Sequence, residues 1–562
     1  MPKPPAPRLK SGFRSETPKK PKASAPLARP PETYLYTPLA PTVSDPLHVA
    51  WCYPASYGVA MASLGWLLLF AQLDTHPLVN VTRLTAEDYP TARLTDVQVA
   101  GFSFSFELDI LGVLTALQGM GLPLLAEERR DADLLVFAGG PVPSTNPEPY
   151  APFFDFFLIG EGEELLNETV AVLHRTQHLP RQQRLLALAT EVVGVYVPAL
   201  VGVSYTDPTH GEVNALTPLH ECIHYPVKKR WLSDLDPYVA ASPILTEGSV
   251  FGHSYLLEVM RGCSHRCRFC LASYATLPAR GASLEALIAK LNEGLAHTPK
   301  VGLLGALIAD HPQFAELCAY LDTLPDTQVS FGALRADTLT PAMCHTLQRS
   351  GGKSLTLAIE SGSPALRQRI NKHLSQEAIE QAAATVVASG LKSLKLYGMV
   401  GLPTETDDDL QATNDLLRRI KKAHPALDLS LGCSTFVPKA WTPFQWMPRL
   451  PWQELKRRQE VLRKGLVGVA SFRPSSPKWD ALQAMLSRGD RRLAPWLLAF
   501  MQAGGNTGAI NRAYKTWEER LPSLAWYGLR ERPEAEVLPW DVLELTVPKA
   551  ILYKEAFINH RG

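Results

Sequence analysis

Cysteine is scarce in this chain, eight in 562 residues, too few and too scattered for a disulfide framework. Net charge is missing as well. The 56 Lys and Arg face 55 Asp and Glu, so there is no basic excess of the kind that tracks nucleic acid, which argues against a polyanion partner. A membrane-length apolar run is also lacking. The longest apolar stretch, residues 57–73 ("YGVAMASLGWLLLFAQL"), is broken by Ser63 and Gln72 and falls short of the ~20 residues a bilayer needs. It reads as a buried helix, with no membrane association. No apolar segment backs the basic N-terminal residues, so a secretory signal is not expected. These absences point to the cytoplasm, where thiols stay reduced and free to bind metal.

What is present is ordered along the chain. Residues 1–45 read as a disordered tail, with eight Pro and eight Lys or Arg in the first thirty positions and too little apolar surface to offset ordering. Residues 46–200 alternate apolar strands ("HVAWCYP", "VQVAGFSFS", "DLLVFAGG", "FFDFFLIGEGEE") with helical patterns. Strands without alternation between helices predict a Rossmann-like parallel-sheet α/β domain. Residues 201–249 read as a hairpin and linker turning at "TDPTHGE". A clearer βα beat follows over 250–448 ("YLLEVM", "KVGLLGAL", "QVSFGALR", "SLTLAIE", "LKSLKLYGMVG", "LDLSLGCSTFVP"), which predicts a partial (β/α)6 barrel. Residues 449–562 read as a mostly helical C-terminal region.

Three of the eight cysteines sit within eight positions, in "MRGCSHRCRFCLAS". Cys263, Cys267 and Cys270 follow the first barrel strand, where functional residues of parallel barrels stand. Soft thiolates select zinc, copper(I) or iron–sulfur clusters. A structural zinc site wants four ligands, normally two separated pairs. Here no second pair exists, and His265 lies awkwardly inside the same short loop. A redox dithiol needs only two cysteines. A 4Fe–4S cluster on three thiolates leaves one iron open for a substrate or cofactor. Glycine or polar breaks also end the other barrel strands: Gly305-Ala306, Arg335 and Asp337, Glu360-Ser361, and "GMVGLPTET".

The C-x3-C-x2-C run with Phe269 before its last cysteine resembles the signature of the radical S-adenosylmethionine enzymes. That resemblance implies a 4Fe–4S cluster on Cys263, Cys267 and Cys270, which holds S-adenosylmethionine at its open iron and yields a 5′-deoxyadenosyl radical. It further implies an electron donor such as flavodoxin or ferredoxin. Phe269 would pack near the adenine, Glu360 in "IESGSPALRQRINK" would meet the ribose, and Val400 and Leu402 in "YGMVGLPTET" would flank the adenine. Of the family's Gly-Gly-Glu only Gly305 stands, with Ala306 and Leu307 in place of the others. The N-terminal domain is similar to cobalamin-binding domains, with "GEGEELLNE" like their closing junction, and Ser103, Gly139 and Gly140 would line a groove for the nucleotide tail. The family's Asp-x-His-x-x-Gly is replaced by "YPASYGVA". The C-terminal "RGDRR" and "EVLPWD" resemble an uncharacterised bacterial group. The implied activity is methyl transfer or rearrangement on an unknown substrate, cobalamin-dependent if the corrinoid binds. Two alternatives stand beside it: a methylthiotransferase acting on RNA or protein, and a non-catalytic iron–sulfur or corrinoid sensor.

Overall fold

The computed structural model describes residues 29–92 and 94–558. Near its start lies a six-stranded sheet built from β1 (Leu47–Cys52), β2 (Val79–Leu84), β3 (Val99–Ser103), β4 (Leu135–Gly139), β5 (Phe156–Leu158) and β6 (Val195–Tyr196). The strand order is β2-β1-β3-β4-β5-β6, parallel throughout except for the last pair. Strands β1, β3, β4 and β5 match the four expected from sequence, whereas β2 and β6 were not expected. Strand β2 ("VNVTRL") is an edge strand with two exposed polar positions, so it lacks the continuous apolar run that marks its neighbours. The apolar stretch 57–73 is only partly buried, with Val59 exposed, and it is not one helix. It breaks into Tyr57–Ala60 and Leu64–Asp74.

The expected tail 1–45 differs in its last part. Residues 1–28 lie outside the described residues, but Glu32–Tyr34 form a strand antiparallel to Ile244–Thr246. Glu32 pairs there with Arg83, and Tyr57 Oη donates to Glu32 at 2.7 Å, a specific anchor that composition alone does not reveal. Residues 201–249 contain the antiparallel hairpin Val201–Tyr205 with Val213–Pro218.

The barrel strands are β7 (Tyr255–Arg261), β8 (Lys300–Gly305), β9 (Gln328–Phe331), β10 (Ser354–Glu360), β11 (Ser393–Val400) and β12 (Asp428–Thr435). They are parallel but divide into two sheets, one of β7–β9 and one of β10–β12. The halves meet through the single bridge Leu334↔Leu357 among the described residues. A further strand, β13 (Ser471–Pro474), extends the second sheet parallel to β12. It falls inside the region read as helical, because four residues ending in proline carry too little strand signal.

Helices cover one face of each half. Leu257, Leu303, Leu357, Leu396 and Leu431 point outward into that shared core. The helices start where the sequence marks them. Ser363 Oγ accepts from the Leu366 N–H with Pro364 behind it, and Ser375 Oγ accepts from the Ala378 N–H. Thr406 and Asp409 form a reciprocal capping box. A second core joins the N-terminal sheet, the cysteine loop and the C-terminal helices through Phe102, Tyr274, Leu366, Trp446, Trp496 and Trp540. No helix among the described residues is long and apolar enough to cross a membrane.

Candidate functional site

The cysteine loop leaves β7 through Gly262, whose φ is 76°. A Cβ there would stand 2.7 Å from the Thr276 carbonyl oxygen, so only glycine fits. The loop then turns on itself, with Arg266 at φ 52° and the Cys270 N–H donating to the Cys267 carbonyl at 2.9 Å. It is tied from several directions. The Arg268 N–H donates to the Ile370 carbonyl (3.0 Å), and the Phe444 N–H donates to the Arg268 carbonyl (3.1 Å). Asn371 Nδ2 and Tyr274 Oη both donate to the Arg266 carbonyl at 2.8 Å. Tyr274 also reaches Glu555 Oε2 at 2.6 Å, so the last helix, Lys549–Phe557, braces the loop.

Cys263 and Cys267 are buried free thiols, and Cys270 is a half-buried one. His265, weighed from sequence as a fourth zinc ligand, instead pairs with Asp310 (Nε2 to Oδ2, 2.7 Å). Among the described residues no three His, Cys, Asp or Glu side chains converge on a point fit for one metal ion. Three soft thiols on one short loop are donors of the kind an iron–sulfur cluster takes.

Burial pushes the Cys267 thiol up to about 12; nearby Lys372 pulls it down, Cys270 and Glu360 add to the rise, and Arg335 pulls it down again. A metal ligand must be deprotonated, and these two cations offset the thiolate charge. Lys372 Nζ stands 3.0 Å from Glu360 Oε1, with both side chains largely buried. Burial works against the Lys372 charge, but Glu360 and Cys267 outweigh it and leave its pKa raised. Arg335 is held by Asp337 (2.9 and 2.7 Å) and donates to the Lys372 carbonyl at 2.9 Å. Glu360 itself ends β10 with φ 63° after a register shift at Ala358, a bulge of the kind that re-aims a side chain beside a site.

The structure thus brings Cys267, Glu360, Lys372 and Arg335 into one electrostatic group. Gly305 lies opposite Met260 across the β7–β8 ladder, beside the start of the cysteine loop, and is exposed with φ 155°. Leu307, standing where the resemblance expects an acid, is buried. Phe269 is half-buried against the joining core, which also holds Leu402. Val400 and Leu402 are 0% and 2% exposed, so their side chains pack the interior and only their backbone could face an adenine. Those carbonyls already accept from the Phe436 and Glu405 N–H groups (2.8 and 3.0 Å).

The residues expected at a corrinoid tail lie at the ends of neighbouring strands of the N-terminal sheet. Gly140 has φ 116°, and a Cβ there would stand 2.7 Å from the Phe104 carbonyl oxygen. Phe104 is fully buried edge-on against Tyr150, 4.6 Å between centroids. Gly139 packs on Leu158. Phe137 stacks on Phe156 at 4.9 Å in the core on the opposite face of the sheet from Phe104. Gly140 answers a close approach of the chain to itself, whereas Gly139 makes only ordinary contact with Leu158, and half-buried Ser103 lies opposite Gly139 in the same ladder. Glu161 and Glu163 of "GEGEELLNE" instead bind Arg261, with Glu163 at 2.6 Å, which docks this sheet onto the root of the cysteine loop.

Comparison with known proteins follows the same division. The family described as radical SAM proteins, N-terminal, matches residues 79–198, and the radical SAM superfamily matches residues 257–417. The chain belongs to the radical SAM superfamily. It is 28% identical over 456 residues to an uncharacterized protein of Methanocaldococcus jannaschii, covering 80% of this chain and 90% of that one. It is 27% identical over 190 residues to the tRNA-2-methylthio-N(6)-dimethylallyladenosine synthase of Sorangium cellulosum, covering 29% of this chain and 38% of that one. A solved structure of the cobalamin-dependent S-adenosylmethionine radical enzyme OxsB aligns with TM-score 0.49 and 18% identity, covering 84% and 71% of the two chains.

Membership of the radical SAM superfamily implies a 4Fe–4S cluster and S-adenosylmethionine, and the cysteine loop accommodates the first. Sequence reading missed Lys372, Asn371 and Asp310. Lys372 and Asn371 sit at the end of "IESGSPALRQRINK", a segment noticed for its glutamate, and only the fold carries them back onto the cysteines.

Proposed function

We propose that this chain is a radical S-adenosylmethionine enzyme that abstracts hydrogen from an unactivated carbon of a substrate held in the barrel, in the service of methyl transfer or rearrangement. The observation that carries this reading is the three-thiol loop at the end of β7 beside the Glu360–Lys372 pair at the end of β10. When bound, the cluster supplies an electron for cleaving the sulfonium of S-adenosylmethionine. Cys263, Cys267 and Cys270 hold it, and Lys372 and Arg335 balance the thiolate charge. Glu360, aimed by its bulge, is the acceptor for ribose hydroxyls. Exposed Gly305 leaves its backbone open to the amino-acid end of the cofactor. A cavity of about 570 Å³ lies against the loop, lined by Ser264, Arg266, Val547, Pro548 and Ile551 among others, and is the approach for a one-electron donor.

The methylthiotransferase alternative needs a second cluster, and the N-terminal sheet offers a single cysteine. That residue, Cys52, is fully buried, and desolvation pushes its thiol far up. The test is anaerobic reconstitution with iron and sulfide, reduction with dithionite, and incubation with S-adenosylmethionine. The expected result is 5′-deoxyadenosine from the parent and none from Cys267→Ala. A fully loaded cluster that yields none with any substrate supports the sensor alternative.

A further inference from the structure

The face of β10–β13 turned away from the helices is open, and it is not the face of an ordinary filled barrel. Its residues fall in rows across the register. Ala358, Tyr397, Gly432 and Arg473 form one row, and Thr356, Lys395, Ser430 and Ser471 form the row before it. Tyr397 is 50% exposed, unusual for a tyrosine in the middle of a barrel strand. Gly432 is the reason it lies flat, because a Cβ there would stand 3.1 Å from the Tyr397 ring. The ring therefore rests on the neighbouring strand and offers its other face to the lumen. Lys395 and Arg473 are exposed on the same face, with no hydrogen bond or ion pair to any described residue. One acid, Asp428, faces them from the start of β12. The other carboxylates of the lumen are engaged, Glu258 by Arg261 and Glu360 by Lys372.

An unpartnered ring between two unpartnered cations selects for a particular chemistry. Strands lie ~4.8 Å apart, so Arg473 is about 10 Å from Tyr397 across the row, within reach of its long side chain. A positively charged ligand on the ring is disfavoured by both neighbours. A planar ring that bears an anion satisfies all three groups, stacking on Tyr397 with its charge on Arg473 and Lys395.

We infer that the substrate held in the barrel under the proposed function is a planar ring carrying a phosphate or carboxylate, seated on Tyr397 beside Lys395 and Arg473. The inference rests on the proposed radical chemistry for its meaning but not for its geometry. Tyr397 is in register with Ala358, two residues before Glu360, so a ring seated there lies about 7 Å below the cofactor end of the strands. The substrate carbon to be attacked then projects toward the cysteine loop.

The test is equilibrium dialysis of the whole chain, reconstituted anaerobically and assayed for iron in the same sample. The probes are uridine 5′-monophosphate, 2-aminobenzoate and, as the neutral control, uridine. At least one of the two anions is expected to bind with a Kd below about 1 mM. Tyr397→Ala weakens it roughly ten-fold, and Arg473→Gln and Lys395→Gln each reduce the preference for the charged probe. Binding of the nucleotide assigns a phosphate, and binding of 2-aminobenzoate assigns a carboxylate. Failure of both anions at about 5 mM, or unchanged binding in Tyr397→Ala and Arg473→Gln, overturns the inference. A chain that binds an anion but takes up no iron keeps the subsite and refutes the proposed function. A chain that takes up iron but binds neither anion does the reverse.

Discussion

Lys372→Met tests the electrostatic group at the end of β10. Lys372 Nζ and Glu360 Oε1 are 3.0 Å apart and largely buried. At an effective dielectric near 20, their attraction is roughly 5 kcal/mol before desolvation is charged against it. Replacing such a pair with apolar groups is often near neutral, but removing one partner strands the other and costs about 3–5 kcal/mol. Lys372→Met alone is therefore expected to destabilise this corner by about 3 kcal/mol, and Glu360→Gln/Lys372→Met to recover most of it. The whole chain has several cores and no single unfolding transition to read. Hydrogen exchange of peptides covering residues 354–373, in cluster-free protein, reads local opening instead. The single variant should exchange about a hundred-fold faster there, and the double variant within about ten-fold of the parent. If single and double variants exchange alike, the pair is not coupled and the balancing role given to Lys372 fails.

Other outcomes follow from the same geometry. Alanine at Cys263, Cys267 or Cys270 should each abolish stoichiometric iron uptake, whereas alanine at Cys344 or Cys433, buried in the barrel core, should not, as iron analysis will show. Burial pushes Glu405 up to about 7, against hydrogen bonds from the Gly401 N–H and Arg458. The folded chain thus holds a proton that the unfolded chain releases near 4.5, so this group's stabilisation is full below about 4.5 and falls by roughly 3 kcal/mol as pH rises to 7. Glu405→Gln should flatten that slope in hydrogen exchange of peptides covering residues 398–410 at pH 5 and 7.5, corrected for intrinsic exchange rates, and an unchanged slope assigns the pH dependence elsewhere.

Local signals made some of this legible and non-local pairing hid the rest. Strands such as Ser354–Glu360 and Asp428–Thr435 announce themselves because burial alternates along them. Cys263, Cys267 and Cys270 are legible because their spacing is a local property of one loop. Edge strands are different. Val79–Leu84 and Ser471–Pro474 owe their state to a neighbour hundreds of atoms away, and nothing in their own composition demands it. Lys372 shows the same limit within the site. In sequence it is a basic residue after a short helix, and it acquires a role only when Asn371 and Ile370 bind the cysteine loop.

That last contact explains how two half-sheets make one site. Among the described residues the halves share a single bridge, Leu334↔Leu357, so backbone pairing between them gives little control over how far their ends stand apart. The cysteines belong to the first half and Glu360 to the second. What fixes their separation is the segment after β10, where Ile370 and Asn371 accept from and donate to the loop while Lys372 returns to Glu360. One three-residue stretch therefore sets the cysteine loop against Glu360. Asn371 reinforces this, since it holds φ 59°, a conformation asparagine tolerates better than most side chains. The Ile370–Lys372 stretch thus holds the cysteine loop to Glu360 despite the weak seam between the halves.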